Sequence, residues 1–281
     1  MNINLRTLGP KEAKVVLSLT EHGREVVLAA EIIDLAGSET SGRKVIRNLI
    51  RKGWLLRLVG GKYLLLPADR GPENLGENNA FALASKVVDR SYIGWWSAAS
   101  FHGFTTQKPM TVFVAVTKQV AARTIEGAEI RFVSVAPRKF FGFQSYDVYG
   151  RSVSISSPEK TLVDCIDHPE LCGGSTELTR IVYGGRSEVD LSKLIAAALA
   201  VKSAALLQRL GFLLDLVEWP LTAAQRSQLR AAIPSSRRIT LGRARRLAGD
   251  IGYVADWGIL VNANRKTLLT DVPGLKTRRA G

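Results

Sequence analysis

One stretch near the start of the sequence constrains the fold more than any other. Residues 28–35 are apolar and alanine-rich, and they predict a short helix. After a glycine, Ser38 can cap a second helix that continues to about Lys52. Two short apolar strands follow, joined at Gly60-Gly61, which supplies the positive φ angles of a tight hairpin. Helix, turn, helix and hairpin in this order predict a winged helix-turn-helix.

The second predicted helix has two chemically different faces. At about 100° per residue, its apolar side chains fall on one arc and its cations on the opposite arc. The apolar arc holds Val45, Ile46, Leu49 and Ile50. The opposite arc holds Arg43, Lys44, Arg47, Asn48, Arg51 and Lys52. One face is therefore expected to pack, and the other presents a row of positive charges.

Positive charge is concentrated in this part of the chain. Residues 41–62 contain seven Lys and Arg and no acidic residue, which gives +7. Residues 1–40 carry four basic and six acidic groups, a net charge of −2. A basic helix of this kind can enter a DNA major groove, where arginine reads guanine and lysine neutralises phosphate. The alternative is a winged helix that packs or binds protein, with its basic face solvated.

Composition narrows the class of protein. A chain of 281 residues that is 46% hydrophobic predicts two or three globular domains with substantial cores. The net charge of +14 indicates a polyanionic partner, nucleic acid in preference to an anionic membrane surface. The longest apolar stretch, residues 191–217, is interrupted by charges and fits amphipathic helices better than a membrane span. Residues 1–6 show no secretory signal, and only two cysteines are present, so a cytoplasmic location is predicted.

The sequence divides at a polar, turn-rich segment, residues 68–79, which is the best candidate for a linker. Three regions are predicted: a winged helix-turn-helix domain at 1–70, a mixed α/β domain at 71–185, and a mostly helical, basic region at 186–281. The middle region alternates helix signals with strand signals at 111–117, 129–135, 146–149 and 152–155. The predicted fold class is therefore α+β.

A second basic segment lies near the C-terminus. Residues 219–281 contain ten Arg and two Lys against three Asp, a net charge of +9. The densest part carries five arginines: Arg237, Arg238, Arg243, Arg245 and Arg246. This patch could contact DNA phosphates beside the winged helix or an acidic partner protein, or it could be a solvated surface.

Enzymatic and metal sites have weak support in the sequence. No phosphate-binding loop, dinucleotide fingerprint, nucleophile elbow or two-histidine zinc helix is present. Cys165, His168 and Cys172 offer three ligands where a structural zinc site takes four, so no metal or other cofactor is predicted. His102 precedes Gly103 at a helix end, which favours a structural role. The chain is therefore predicted to have no catalytic centre, although a nucleic-acid enzyme remains an alternative.

Aromatic residues cluster in the middle region, and two interpretations are open for them. They are Trp95, Trp96, Phe140, Phe141 and Phe143. They could stack on bases in a single-stranded nucleic-acid site. Aromatic residues at this density more often form a hydrophobic core, which is the interpretation we favour.

Several motifs of the middle region resemble the AbiEi family of antitoxins. They are the segment 91–104 with its Gly-Trp-Trp, the strand 111–117, Phe140-Phe141-Gly142, and Ser157-Pro158-Glu159-Lys160-Thr161-Leu162-Val163-Asp164. Arg209-Leu210-Gly211-Phe212 resembles a later helical signature of the family. Together with the winged helix, the resemblance covers most of the chain in the expected order. Only the tail beyond Lys266 departs from it.

The resemblance implies the antitoxin of a type IV toxin-antitoxin pair, linked to abortive infection by phage. It implies repression of the protein's own operon through inverted repeats in the promoter, and neutralisation of a nucleotidyltransferase toxin. The positions that match the family's DNA contacts are Ser41, Arg43, Lys44, Arg47 and Asn48, with Lys62 at the tip of the wing. Arg51 lies on the same predicted helix face. The alternative function is a winged-helix repressor whose α/β domain binds a small effector and which has no toxin partner.

Overall fold

The computed structural model describes residues 6–58, 60–66, 68, 79–125, 127–242 and 250–273. The chain forms two compact units, Met1–Asp89 and Arg90–Gly281. Both helices and mixed sheets are present, so the predicted α+β class is confirmed. The division differs from the three predicted regions at 1–70, 71–185 and 186–281. The first unit extends past the predicted linker to include one more helix, and residues predicted as a separate C-terminal region share a core with the middle region.

The first unit combines helices with a small antiparallel sheet. Its elements are α1 (Pro10–Glu21), β1 (Val26–Leu28), α2 (Ala29–Ala36), α3 (Glu39–Arg51), β2 (Leu55–Arg57), β3 (Lys62–Leu65) and α4 (Ala80–Val87). The strand order is β1-β3-β2, with both pairs antiparallel. Gly60 and Gly61, between β2 and β3, have φ of 69° and 73°, the left-handed conformation predicted for the hairpin.

The turn between α2 and α3 follows from local sequence. Gly37 has a φ of 81° and ends α2 in the left-handed region. The side chain of Ser38 accepts a hydrogen bond of 3.3 Å from the backbone N–H of Ser41 and so caps α3, as predicted. The two helices approach closely at Gly42, where a Cβ atom would lie 2.6 Å from the Cα of Ile33. A larger residue at this position would therefore push α2 and α3 apart.

The predicted apolar face of α3 packs into the core of the first unit. Val45, Ile46 and Leu49 are buried, together with Val15 and Ile32 of the preceding helices. Ile50 differs from the prediction, because 38% of its surface is exposed. Its side chain lies at the border between the apolar and cationic faces of α3 and is only partly covered by the core.

The second unit is built on a six-stranded mixed sheet. Its first elements are β4 (Ser91–Ile93), α5 (Trp95–Phe101), β5 (Thr111–Val116), β6 (Arg123–Ile125), β7 (Ala128–Ser134), β8 (Phe143–Val148) and β9 (Arg151–Ser156). The strand order is β6-β7-β5-β4-β9-β8, in which β4–β9 and β5–β7 are the parallel pairs. Strands β5, β7, β8 and β9 correspond to the four predicted strands. The sequence missed β4 and β6, because each is only three residues long and shows no alternating pattern.

Helices and a second small sheet complete this unit. They are α6 (Pro158–Asp167), α7 (Ser175–Gly184), α8 (Leu191–Val201), α9 (Ala204–Leu216), α10 (Ala223–Ala231), β10 (Ile239–Thr240), β11 (Gly252–Val254), β12 (Ile259–Val261) and α11 (Arg265–Leu268). One core cluster extends from Tyr92 to Val272. The region predicted as mostly helical therefore also contains a three-stranded sheet, ordered β10-β12-β11.

No helix in the described part of the chain is both long enough and apolar enough to cross a membrane.

Candidate nucleic-acid interface

Four cations lie in solvent along one face of α3. Arg43, Lys44, Arg47 and Arg51 are all exposed. Arg43 forms an ion pair of 2.6 Å with Glu39, and both side chains are exposed, so solvent screens the pair. Lys44, Arg47 and Arg51 have no hydrogen-bond or ion-pair partner within the described residues. This row of charges, which we call the α3 cationic face, is free to contact a ligand.

A groove beside this face adds residues that the sequence did not single out. It has a volume of about 820 Å³ and lies between α3, α2 and the β2–β3 hairpin. Arg43 and Arg47 line it from α3, and Arg57 lines it from β2. Thr40 in the first turn of α3 also lines the groove. Arg57 contributes to the charge count of the sequence, but only the pairing of β2 with β3 brings it next to α3.

Two of the predicted DNA-contacting residues face α1 rather than the groove. Ser41 and Asn48 are both half-buried. The Nζ of Lys11 donates a hydrogen bond of 3.4 Å to the hydroxyl of Ser41. The side chain of Asn48 forms a hydrogen bond with the carboxylate of Glu12. The edge of α3 that carries Ser41 and Asn48 is therefore hydrogen-bonded to side chains of α1.

Glu12 anchors α1 to α3 through its buried carboxylate. It accepts hydrogen bonds from the backbone N–H of Gly9 at 2.8 Å and from the Nζ of Lys52 at 2.5 Å. Burial raises the pKa of Glu12, but these hydrogen bonds and that from Asn48 overcome the effect and hold the pKa below its ordinary value. Lys52, which the helical projection places with the cations, is therefore bound to the carboxylate of Glu12.

Lys62, predicted at the tip of the wing, is held by a carboxylate in the first unit. Its Nζ lies 2.5 Å from the Oδ2 of Asp89, which follows α4. The lysine is half-buried and the aspartate is exposed. A DNA phosphate would compete with Asp89 for the ammonium group of Lys62.

The Ser-Pro-Glu-Lys motif of the second unit forms a buried polar cluster. Ser157 caps α6, and Lys160 in the first half of the helix is only 1% exposed. The Nζ of Lys160 donates to the hydroxyl of Tyr92 at 2.9 Å and to the carboxylate of Asp164, one turn further along. Tyr92 in turn donates to Asp164 at 3.1 Å. This enclosed cluster links α6 to β4 of the sheet through Tyr92.

The aromatic cluster is mostly part of the core. Trp95 is fully buried, and Trp96, Phe140 and Phe141 are half-buried and pack against the core of the second unit. Phe143 is the most exposed of the five and stacks on Tyr92, with ring centroids 4.9 Å apart. This arrangement agrees with the interpretation of these residues as a core.

The candidate metal and histidine sites have local protein partners. Cys165 and Cys172 are buried free thiols, and His168 contacts the carboxylate of Glu170 at 3.0 Å. Among the residues that the structure describes, no group of three or more His, Cys, Asp or Glu side chains could hold a metal ion. His102 lies 2.8 Å from the carbonyl oxygen of Ser156, and burial lowers the pKa of its imidazole.

Arg237 and Arg238 of the predicted second basic patch are exposed and lie just before β10. Arg243, Arg245 and Arg246 lie outside the described residues.

Comparison with known proteins relates this chain to a family and to a solved fold. Residues 92–216 match the family model described as the AbiEi antitoxin C-terminal domain. The crystal structure of the RV2827C protein from Mycobacterium tuberculosis is similar, with a TM-score of 0.66, 18% sequence identity, and coverage of 94% of this chain and 95% of that chain. At this identity the likeness shows the fold alone. No curated protein sequence matches the chain.

Proposed function

We propose, from the match of residues 92–216 to the AbiEi antitoxin C-terminal domain, that this protein is the antitoxin of a type IV toxin-antitoxin pair. In this proposal it counters a nucleotidyltransferase toxin, and it represses its own operon by binding inverted repeats in the promoter. It has no catalytic centre of its own and acts only by binding.

The observation that carries the DNA-binding part of the proposal is the α3 cationic face. In this proposal α2, α3 and the β2–β3 hairpin form a winged helix-turn-helix with α3 as the recognition helix. A B-DNA major groove is about 12 Å wide and admits a helix. The exposed guanidinium groups of Arg43 and Arg47 can form bidentate hydrogen bonds with guanine, and Lys44 and Arg51 can neutralise phosphates. Arg57 adds a cation from the hairpin.

A footprint on the DNA upstream of this protein's gene tests autoregulation. We expect the wild type to protect paired inverted repeats, and the Arg43→Ala, Arg47→Ala double variant to lose this protection at physiological salt. Arg47→Ala alone should weaken binding to the repeats by about 1–3 kcal/mol, because one bidentate base contact is removed. A Lys118→Ala, Arg131→Ala variant removes two exposed cations from the second unit and should bind normally. Equal losses on the repeats and on random DNA would contradict base reading by Arg47.

The wing gives a second prediction, which concerns phosphate contact. Lys62→Ala should weaken binding to every duplex sequence alike and reduce the salt slope by about one unit, because one phosphate contact is lost. Asp89→Asn should have the opposite effect, because it removes the carboxylate that competes for Lys62. Both effects can be measured by titrating labelled operator and random duplexes at several salt concentrations. A sequence-dependent effect of Lys62→Ala would instead assign a base contact to the wing.

The antitoxin part of the proposal is tested by growth. The proposal predicts a nucleotidyltransferase gene beside the gene of this protein, and co-expression of the two should restore growth that the toxin alone arrests. The Arg43→Ala, Arg47→Ala variant, expressed from a foreign promoter, should still restore growth, because the AbiEi domain is intact. Failure of the wild type to restore growth would refute the antitoxin function and leave the footprint result unaffected.

A further inference from the structure

Three arginines converge on a groove in the second unit, remote in sequence from the α3 cationic face. Arg209 lies on α9, and Arg237 and Arg238 lie in the segment before β10. Together they line an open cavity of about 710 Å³. The other lining residues are Ala205, Ile239, Thr240, Tyr253 and Leu260. None of these described lining residues is acidic, so the lining itself is positively charged, although Asp167 and Glu170 lie close enough to Arg209 to offset part of its charge.

Arg209 is held in place but keeps an unused donor. Its Nη1 donates to the carbonyl oxygens of Ile166 and Asp167, at 3.4 and 3.2 Å. Its Nε–H is buried and has no acceptor in the described part of the chain. Burial lowers the pKa of the Arg209 guanidinium and the charge of Arg237 lowers it further, although Asp167 and Glu170 act in the opposite direction. A second positive charge near a partly buried arginine favours the binding of an anion.

A flat surface suited to stacking lies in the same groove. Tyr253 on β11 is 48% exposed, and the guanidinium carbon of Arg238 lies 5.3 Å from the centre of its ring. Leu260 on β12 pairs with Tyr253 in the sheet and is 44% exposed. An exposed aromatic ring beside arginines offers a π-face to a base and hydrogen-bond donors to the adjoining phosphate.

Arg209 also borders a second cavity, likewise of about 710 Å³. Gly173, Gly174, Ser175 and Thr176, at the start of α7, line this second cavity, and Arg209 lines both. Glu170 also lines it, with its carboxylate 3.0 Å from the Nδ1 of His168. The first N–H groups of a helix lack intrahelical acceptors and favour anions. Two open cavities that share one arginine fit an extended chain with repeated negative charges better than an enclosed small molecule.

We propose that this groove, from Tyr253 across Arg209 to the start of α7, binds single-stranded nucleic acid. One base stacks on Tyr253, and the backbone phosphates lie beside Arg209, Arg237 and Arg238. An acidic protein could pair with the arginines, but it would make no comparable use of the exposed ring of Tyr253. This site is separate from the proposed duplex site on α3, so the protein contacts single-stranded and double-stranded nucleic acid through different units.

The test is fluorescence anisotropy of the full chain with a labelled single-stranded RNA of mixed sequence, about 12 nucleotides long. Arg237→Gln, Arg238→Gln should raise the Kd and reduce the salt slope by about 1.4, because two phosphate contacts are lost. Tyr253→Thr should raise the Kd about tenfold, through lost stacking. The matched control Lys118→Gln, Arg131→Gln removes two exposed cations outside the groove and should leave the Kd unchanged. All variants alter exposed side chains, and their melting temperatures confirm folding.

Four outcomes would overturn the proposal. The RNA could bind the groove variants as tightly as the wild type. The Arg43→Ala, Arg47→Ala variant could lose RNA binding while the groove variants keep it, which would place the strand on α3. Adenosine monophosphate could displace the RNA at an equal concentration, which would assign the groove to a free nucleotide. The wild type could bind no oligonucleotide while the groove variants lose binding to purified toxin, which would assign the arginines to a protein partner.

Discussion

Replacing Asp164 with alanine is expected to lower the free energy of unfolding of the second unit by about 3–5 kcal/mol. The variant leaves the ammonium group of Lys160 buried without its counter-ion, with the hydroxyl of Tyr92 as a neutral partner. Burial raises the pKa of Asp164, and the Lys160 ammonium and the Tyr92 hydroxyl oppose that shift. Enclosing this ion pair therefore costs free energy. Removing one partner destabilises the folded unit more than replacing both partners with apolar residues.

Urea denaturation followed by tryptophan fluorescence measures this loss. Trp95, Trp96, Trp219 and Trp257 lie in the second unit and Trp54 in the first, so the signal reports mainly on the second unit. The control is Lys160→Met, Asp164→Leu, which removes both charges and keeps the volume. It should recover much of the lost stability, because replacing a buried ion pair by apolar residues is often neutral. A loss of less than about 1 kcal/mol in Asp164→Ala would show that water reaches Lys160 and that the pair is not a buried one.

Replacing Trp257 with alanine is expected to cost about 3–5 kcal/mol in the same unit. The indole is fully buried, and its Nε1 donates to the Oδ2 of Asp215 at 2.7 Å. It packs so closely on α9 that a Cβ at Gly211 would lie 2.3 Å from the ring. Asp215 also pairs with Arg226, whose guanidinium carbon lies 5.2 Å from the centre of the Trp257 ring. Removing the indole therefore leaves a cavity where β12 joins α9.

The same urea denaturation, with circular dichroism in place of fluorescence, measures this loss, since the variant itself lacks one tryptophan. Trp257→Phe is the matched control and should cost clearly less, because the ring keeps most of its volume and Asp215 keeps Arg226. Equal losses in the two variants would attribute the effect to the hydrogen bond with Asp215 rather than to packing. Negligible loss in both would contradict a core that joins the three-stranded sheet to α9.

Much of the first unit could be predicted from the sequence, because local signals determine it. The two faces of α3 follow from helical periodicity, and buried Val45 and Leu49 confirm the apolar one. The turn follows from two adjacent residues. Gly37 ends α2 in the left-handed conformation, and the hydroxyl of Ser38 caps α3 by accepting a hydrogen bond from Ser41, three residues later. The AbiEi relationship was also visible in the sequence and is confirmed by the match to residues 92–216.

The candidate sites were only partly predictable, because their partners are distant in the sequence. Nothing local shows that Lys62 meets Asp89, or that Asn48 turns to Glu12. The groove of the second unit brings Arg209 of α9 together with Arg237, which precedes β10, and Tyr253 of β11. These residues are 28 or more positions apart from Arg209 in the sequence. The sequence identified the basic charge of this region, but not the aromatic surface beside it.

The sequence by itself therefore determined the α+β class, the positions of α2, α3 and the β2–β3 hairpin, the concentration of charge on α3, and the resemblance of residues 92–216 to the AbiEi antitoxin domain. These depend on periodicity, capping and turn residues, which act over a few residues. Only the tertiary structure decided which cations remain free, that Lys160 is enclosed with Asp164 and Tyr92, and that Arg209, Arg237 and Tyr253 share one groove. The physical reason is that burial and pairing of charges depend on contacts between distant segments, which no local pattern specifies.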